Sequence, residues 1–389
     1  MAADLSTSTA SPELGEGIRH LFPVLEKKVY LNACSQGPLS VRVREAYGEY
    51  LDGMDEHGSR WESWIERQDI VRGLTAELLS ADPGSVAITA SESAGMSALA
   101  SGLDYTTGRD TVVTTDLEFP TAGQIWHAQE RRGARIVHVA ADPDHTVPIE
   151  RFAEAIDDRT ALVSITQVCF RNGARVDVDA VVELAHERGV PVHVDAYQGI
   201  GALPYDVGVS RADYVSGGFL KYLLGSPGAA FFYANPETTA GLVPVQTGWM
   251  AARDIWTMDI WDYDPAADAR RFEAGTPPIP SLYAAAAGLR LALAFGVERT
   301  RDHVEGLLAQ LRSGITDLGG TVVTPERSHG PMLAVAVHDE HAAVASFAEA
   351  DVVVSSRDSN VRIAPHAYNT AEDIEGFLRA LADRRHLLR

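Results

Sequence analysis

The sequence predicts an α/β protein with a large domain built on a mostly parallel, seven-stranded sheet and a smaller C-terminal α+β domain. Three observations lead to this fold class. Short apolar strands alternate with helical patterns between Val86 and Ala234. From Ser281 the pattern changes to long helices, which are followed by short strands and a last helix. The 389 residues, of which 46% are hydrophobic, suffice for two cores.

The seven predicted strands are apolar and are separated by helical segments such as PIERFAEAI. In chain order the strands are VAIT, TVVTTD, ARIVHVA, ALVSIT, VPVHVD, ADYVSG and GAAFFYA. Strands that alternate with helices usually form a parallel sheet with helices on both faces. The second part contains the helices LYAAAAGLRLALAFG and VERTRDHVEGLLAQLRSGITDLGG, then the strands TVVTP, PMLAVAV, VVVSS and VRIAP.

These patterns divide the chain into four parts. Residues 1–15 lie in a first segment of small and polar residues that contains no apolar stretch, which predicts a flexible tail. We expect residues 16–28 to pack on the small domain. The large domain is predicted to span residues 29–285, and the small domain residues 286–389.

Composition limits the partners and the compartment. A formal net charge of -21 repels phosphate, so we expect neither nucleic acid nor an anionic membrane as a partner. An anionic substrate would then need local arginines. The two cysteines, Cys34 and Cys169, are too few for a disulfide framework, which favours a reducing cytoplasm. No segment is typical of a signal peptide or a membrane span.

Lys221 is the first candidate catalytic residue, because it lies within the apolar run DYVSGGFLKYLLGSPGAAFFY. Burial lowers the pKa of a lysine and favours the neutral amine, which attacks aldehydes. Lys221 is therefore a candidate Schiff-base nucleophile. The ordinary alternative is an exposed lysine whose stem covers apolar surface.

Asp195 ends the predicted strand VPVHVD, at the edge where doubly wound sheets bind ligands. Side chains two residues apart share a strand face, so His193 and Asp195 point the same way and could meet one cofactor ring. A carboxylate there would keep a pyridine nitrogen protonated, which is what carbanion chemistry on pyridoxal phosphate requires. Gln198 could hydrogen-bond the ring oxygen. Alternatively, Asp195 is a turn former or a helix cap.

Four motifs in order resemble the class V aminotransferase superfamily of fold-type I pyridoxal-phosphate enzymes, which includes cysteine desulfurases, kynureninases and isopenicillin N epimerase-like proteins. They are VHVDAYQGIGALPYDV, SGGFLKYLLGSPG, RRFEAGTPPIPS and VRIAPHAYNT. The resemblance extends from VYLNACSQGPLS to the C-terminal VRIAPHAYNTAEDIEGFL. It implies that Lys221 forms the Schiff base with pyridoxal 5'-phosphate, that Asp195 pairs with the ring nitrogen and that Gln198 contacts the ring hydroxyl oxygen.

The resemblance also suggests the phosphate site and the group above the ring. Ser91, Glu92 and Ser93 follow the strand VAIT at a helix start, where amides and hydroxyls hold a phosphate. A carboxylate repels phosphate, so we expect Glu92 to point away from it. Phe119 lies at the family's ring-stacking position. Without the other motifs, Ser91 would be an ordinary cap and Phe119 a core aromatic.

Two further residues are expected to act across a dimer interface. The segment GTPPIP resembles one that reaches into the partner subunit's active site, which makes Thr276 a candidate phosphate ligand there. Trp249 could support it. The resemblance therefore implies a homodimer with shared active sites.

Arg362 lies where the family's arginine pairs with the substrate α-carboxylate, and a guanidinium fork suits a carboxylate. The loop NACSQGP suggests Asn32, Ser35 and Gln36 as further substrate contacts. Arg357, five residues before Arg362, is expected to face solvent.

Departures from the family pattern bear on the reaction. Persulfide-forming desulfurases carry a cysteine some fifteen residues before the arginine, and this chain has none there. Where desulfurases place a hydroxyl and a histidine on the phosphate, this chain has Gly218 and Leu220. We therefore expect a β-elimination or related carbon-sulfur or carbon-carbon lyase acting on a small α-amino acid. An aminotransferase, an epimerase and a catalytically degenerate binding module stay open. The string HDEH at residues 338–341 is expected to be a solvated loop without a metal.

Overall fold

The computed structural model describes residues 12–389. Thirteen α-helices and twelve strands are found in this part of the chain. The strands are β1 Val29–Tyr30, β2 Val86–Thr89, β3 Thr111–Thr115, β4 Arg135–Val139, β5 Thr160–Thr166, β6 Val192–Asp195, β7 Tyr214–Gly218, β8 Ala230–Ala234, β9 Leu333–Ala336, β10 Val352–Val353, β11 Ser355–Arg357 and β12 Asn360–Ile363. The helices are α1 Glu16–Arg19, α2 Val41–His57, α3 Trp61–Leu79, α4 Glu92–Gly102, α5 Pro120–Ala128, α6 Ile149–Ala155, α7 Val178–Glu187, α8 Val207–Ser210, α9 Pro236–Thr239, α10 Ile279–Phe295, α11 Val297–Asp317, α12 Glu340–Glu349 and α13 Ala371–Ala382.

The large sheet has seven strands in the order β2-β8-β7-β6-β5-β3-β4. Strand β8 runs antiparallel to both of its neighbours, and the other four pairings are parallel. The predicted fold class, with a mostly parallel seven-stranded sheet, is confirmed. Each of the seven predicted strand segments overlaps one strand of this sheet.

The local sequence explains why β6 lies at the centre of the sheet. Asp177 caps α7 by accepting a hydrogen bond from the backbone of Ala180. The apolar side of α7, with Val181 and Ala185, packs into the main core. The next segment, β6, is buried at all four positions, so it is covered on both faces and ends with Asp195 at the carboxyl edge.

The small domain surrounds a three-stranded antiparallel sheet in the order β11-β12-β9. Helices α11, α12 and α13 contribute apolar side chains to its core. Strand β1 pairs in parallel with β10, and Arg19 forms an ion pair of 2.6 Å with Asp373 in α13. The segment before β1 thus contacts the C-terminal part of the chain. The predicted tail, residues 1–15, lies largely outside the described residues.

Helix α10 runs through position 285, where the sequence placed a domain boundary. Most of its buried apolar residues from Ile279 to Ala292 belong to the same core cluster as the large sheet, and it packs on α2 and α3. The helix is alanine-rich and apolar, so its sequence does not reveal which core it joins. We propose Gly296, between α10 and α11, as the boundary. Between residues 12 and 389 no single helix could span a membrane; α10 and α11 together meet the length and composition criteria but are bent by 75°.

Candidate active site

The carboxyl ends of β5 and β6, the chain after β7 and the N-terminal ends of α4 and α5 surround a cavity of about 300 Å³. This is the edge at which open α/β sheets bind ligands. Clefts of about 490 and 680 Å³ lie elsewhere in the described part, but Lys221 lines neither of them. The cavity brings together seven of the predicted residues: Ser91, Glu92, Ser93, Phe119, Asp195, Gln198 and Lys221.

Lys221 follows β7 and projects into the cavity between two aromatic rings. Its Nζ atom lies 4.2 Å from the centre of the Tyr197 ring and 5.8 Å from that of Phe119. Burial lowers the pKa of Lys221 to about 8, although the nearby carboxylate of Asp195 acts in the opposite direction. About a tenth of the amine is therefore neutral at pH 7, far more than for an ordinary lysine, which favours a Schiff-base nucleophile.

Asp195 is buried, and its Oδ1 accepts a hydrogen bond of 2.8 Å from the backbone of Tyr197. Burial raises the pKa of Asp195, while this hydrogen bond and Lys221 lower it. A buried carboxyl of this kind needs a positive partner to ionise. A protonated pyridine nitrogen would supply one.

Gln198 connects the cavity to the first loop of the chain. Its Nε2 donates a hydrogen bond of 3.0 Å to the backbone oxygen of Cys34. Its Oε1 is buried and has no hydrogen-bond partner within the described chain. Because buried polar atoms are normally paired, a ligand hydroxyl would complete this site.

The first turn of α4 lies at the opposite side of the cavity. Ser91 is the N-cap, and its Oγ accepts from the backbone of Ala94. The amides that follow are at the positive end of an eleven-residue helix, which suits a phosphate. Glu92 is buried, and its Oε1 accepts from Ser216 Oγ in β7 at 2.8 Å. The Glu92 carboxyl thus accepts a hydrogen bond from the sheet.

His193 does not line the cavity, so the structure does not support the expected contact with the cofactor. It shares a strand face with Asp195, as predicted, but lies two residues further from the carboxyl edge, which is more than 6 Å along a strand. Its ring is fully buried and hydrogen-bonds Ser164 and Ser216. His193 therefore lies behind the cavity wall, and its predicted contact with the cofactor stays a prediction that this position does not favour.

Arg362 and the first loop lie next to the cavity but outside its lining. Arg362 is buried and donates to the backbone oxygen of Phe170 at 2.7 Å and to Ser355 Oγ at 2.9 Å. Its Nε has no partner among residues 12–389. Phe170 does line the cavity, so Arg362 is one residue removed from it.

The other predicted substrate residues are placed less favourably. Asn32 has a buried, unpaired Oδ1, whereas Gln36 is exposed and Ser35 only partly buried. None of the three lines the cavity of this chain. Arg357 is exposed, as expected.

Trp249 and Thr276 also lie outside this cavity. Trp249 packs edge-on against Trp61 with ring centres 5.5 Å apart. Thr276 lines a small pocket of about 70 Å³ beside β2. Both positions are compatible with a role toward a second subunit, which the single chain does not contain.

Sequence reasoning missed three residues that shape the site. Tyr197 and Phe170 supply cavity walls, and the Phe170 ring lies edge-on to Phe119 with centres 4.9 Å apart. Glu118 is buried behind Phe119, where burial raises the pKa of its carboxyl to about 8. Tyr197 lies inside the motif VHVDAYQGIGALPYDV, which was an available signal, whereas Phe170 lies in none of the four motifs. Glu118 gave none, since glutamates near helix starts are usually exposed.

The residues present fit pyridoxal phosphate. The site offers a partly buried amine with a lowered pKa, a buried carboxyl at the sheet edge, an orphaned amide oxygen and a helix N-terminus. These groups match the aldehyde, the ring nitrogen, the ring hydroxyl and the phosphate in turn. The fold and the site together define a fold-type I pyridoxal-phosphate enzyme.

Comparisons with known proteins support this class of enzyme. The family model for class-V aminotransferases matches residues 33–380. The uncharacterized aminotransferase YcbU of Bacillus subtilis (strain 168) is 34% identical over 363 residues, which cover 93% of this chain and 95% of that protein. A kynureninase of Bacillus anthracis is 28% identical over 375 residues, covering 90% and 86%. An apo cysteine desulfurase structure from Thermococcus onnurineus NA1 has a TM-score of 0.88 at 22% identity, covering 97% of this chain and 99% of that one.

The chain belongs to the class V aminotransferase family. The predicted resemblance, the fold class, the pyridoxal phosphate cofactor and an activity of the lyase or aminotransferase kind are confirmed at this level. The individual residue roles and the assembly stay predictions.

Proposed function

We propose that this protein is a pyridoxal-phosphate-dependent lyase that acts on a small α-amino acid by β-elimination or a related carbon-sulfur or carbon-carbon cleavage. The observation that carries the proposal is the position of Lys221 in the same cavity as Asp195 and the α4 N-terminus, with its pKa lowered to about 8 by burial. An amine in this state can both bind an aldehyde and move a proton.

Four groups of this chain would hold the cofactor. Lys221 would bind its aldehyde, Asp195 its ring nitrogen and Gln198 its ring hydroxyl. The first-turn amides of α4, with Ser91 and Ser93, would bind its phosphate. When bound, pyridoxal phosphate supplies an electron sink for the charge that remains when the α-proton leaves.

The remaining groups would orient the substrate and exclude water. Arg362 would bind the α-carboxylate by exchanging its present bond to the Phe170 backbone for a bidentate pair. Phe119 and Phe170 would cover the reacting centre with apolar surface. Lys221 Nζ would then take the α-proton, and Phe119, which has no titratable group, cannot take part in that transfer.

Several facts favour a lyase without a persulfide relay. Both cysteines of the chain, Cys34 and Cys169, are buried, so no exposed thiol is available to accept sulfur. Kynureninases and a probable cysteine desulfurase are among the similar proteins, which supports a lyase in general. The relative at 34% identity is named an aminotransferase, which supports transamination as the second candidate.

A product assay separates these candidates. The protein is incubated with cysteine, cysteine sulfinate, kynurenine and common amino acids, and pyruvate, alanine and pyridoxamine phosphate are measured. A lyase releases pyruvate or alanine in multiple turnovers, and Lys221→Ala abolishes this. Accumulation of pyridoxamine phosphate without elimination products would instead identify an aminotransferase. A biological activity that survives Lys221→Ala would point to a binding module.

We further propose a homodimer with shared active sites, in the cytoplasm. Support comes from the positions of Trp249 and Thr276 outside the cavity of their own chain. The neighbouring segment exposes large apolar side chains, with Ile260 82% and Trp261 90% exposed. Such a surface in a folded protein usually marks an interface. Light scattering coupled to size exclusion tests the dimer; a stable monomer with full activity excludes it.

A further inference from the structure

A chain of four buried polar side chains runs beneath the cavity and ends at Glu92. Ser164 Oγ lies 3.0 Å from His193 Nδ1, and His193 Nε2 lies 2.9 Å from Ser216 Oγ. Ser216 Oγ in turn donates to Glu92 Oε1 at 2.8 Å. Ser164, His193 and Ser216 are fully buried, and Glu92 is 7% exposed. Only Glu92 of the four lines the cavity.

The chemistry of the chain fixes the direction of its protons. Because Ser216 uses its hydrogen toward Glu92, its oxygen must accept from His193 Nε2. His193 then carries its hydrogen on Nε2, and Nδ1 accepts from Ser164. Burial lowers the pKa of His193 to about 3, so the ring stays neutral and keeps this tautomer. Every donor in the chain therefore points toward Glu92.

The strand register places Glu92 beside Asp195. Ser216 in β7 pairs with Asp195 in β6, so the residue that binds Glu92 is the direct neighbour of Asp195 in the sheet. Both carboxyls line the same cavity. Two carboxylates in one buried site repel, and one of them is then favoured in its neutral form.

We propose that Glu92 is a second carboxyl of the cofactor cavity, which the Ser164–His193–Ser216 chain positions beside Asp195, and that its burial next to the Asp195 charge keeps it neutral. The floor of the cavity then carries one negative charge, on Asp195, for the ring nitrogen. An ionised Glu92, in the first turn of α4, would instead repel the phosphate and weaken its binding to the N-terminal end of that helix. This inference rests on the proposed pyridoxal phosphate site.

The charges around Glu92 are consistent with this assignment. Burial, followed by the charge of Asp195, raises the pKa of Glu92 to about 8, and Glu118 acts in the same direction. Ser216 and Lys221 act against them. Besides these groups and the neutral His193, the phenol of Tyr197 interacts with Glu92.

The test is the affinity of the full-length apoprotein for pyridoxal phosphate as a function of pH, measured by quenching of tryptophan fluorescence. In the wild type, Glu92 ionises as the pH rises through about 8, and the affinity should fall roughly five- to tenfold relative to Glu92→Gln. The ratio of the two proteins is the readout, because Lys221 titrates in both. The matched control is Glu298→Gln, the same change at the exposed first turn of α11.

A second variant tests the positioning chain without changing charge. Ser216→Ala removes the hydrogen bond that favours the ionised carboxyl, so the fall in affinity should move to higher pH. If Glu92→Gln does not fold, as judged by circular dichroism, the Ser216→Ala shift decides alone. Parallel pH profiles for the wild type and the variants would overturn the proposal, as would tighter binding by Glu92→Gln well below pH 8, since Glu92 would then be charged there.

Failure of the proposed function itself gives a different result. If the wild type binds no pyridoxal phosphate and borohydride fixes none on Lys221, the cofactor assignment fails for every variant alike. Binding with an adduct on Lys221, but without a difference between wild type and Glu92→Gln, contradicts only the role of Glu92.

Discussion

The Nζ atom of Lys221 lies 4.2 Å from the centre of the Tyr197 ring. The face of an aromatic ring favours the charged ammonium, whereas burial favours the neutral amine. Burial is the larger effect, since the pKa of Lys221 is lowered to about 8. From this contact we expect Tyr197 to moderate the shift that burial produces.

Tyr197→Leu should therefore lower the pKa of Lys221 further. The amine is neutral above its pKa, so adduct formation with pyridoxal phosphate should reach half its maximal rate near pH 8 in the wild type. A lost cation–π contact of about 0.5–1 kcal/mol moves that midpoint down by roughly half a pH unit. Tyr197→Phe keeps the ring and should keep the midpoint. The rate is measured by borohydride trapping; a midpoint that moves upward in Tyr197→Leu contradicts the assignment.

Arg362→Lys should weaken substrate binding without preventing cofactor binding. Lysine keeps the charge but loses the fork that holds a carboxylate through two bonds, so KM should rise roughly tenfold or more. The yield of borohydride adduct on Lys221 should not change. The control is Arg357→Lys, the same change at an exposed residue of the neighbouring strand β11. An unchanged KM in Arg362→Lys would limit Arg362 to its observed bonds with Phe170 and Ser355.

Sequence reasoning located the centre of the site because its key residues follow strands. Asp195 ends the β-branched run of β6 and Lys221 follows the neighbouring strand β7, so the sheet brings them together. The period of two correctly gave His193 the face of Asp195. This alternation does not indicate how far a side chain lies from the sheet edge. His193 lies two residues further from the edge than Asp195 and does not line the cavity.

The rest of the site depends on long-range packing that no local pattern encodes. Tyr197 and Phe170 reach the cavity from loops whose course is set by contacts distant in sequence. Glu92 was expected to turn away from the phosphate, but the bond to Ser216, 124 residues later, was not predictable. The sequence also did not reveal that α10 belongs to the core of the large domain, because this depends on its packing against α2 and α3.

The segment that carries Thr276 is anchored by a buried ion pair between Arg72 and Glu273. Arg72 Nη1 lies 2.8 Å from Glu273 Oε1, and the side chains are 8% and 2% exposed. Arg72→Met leaves the buried carboxyl without its cation and should lower the free energy of unfolding by about 3–5 kcal/mol. The double variant Arg72→Met/Glu273→Gln should recover part of this loss. Urea denaturation measures both.

The more exposed pair Arg270–Asp268 serves as the control for that comparison. Arg270→Met should change the free energy of unfolding by less than about 1 kcal/mol, because solvent screens the pair. Equal losses for Arg72→Met and Arg270→Met would mean that burial does not distinguish the two pairs. A double variant no more stable than Arg72→Met would contradict a coupling between Arg72 and Glu273.

The Tyr197 ring explains why position 218 is a glycine, whereas the desulfurases have a hydroxyl-bearing residue there before their lysine. A Cβ atom at position 218 would lie 2.4 Å from Cζ and Oη of Tyr197, which no packed side chain tolerates. Gly218→Ser should therefore displace the Tyr197 ring from Lys221 and lower the affinity for pyridoxal phosphate several-fold. In Tyr197→Ala/Gly218→Ser the space is free, so the serine fits and the affinity should exceed that of Gly218→Ser alone. Fluorescence titration measures both; equal affinities in the single and double variants would show that Tyr197 is not what excludes a side chain at position 218.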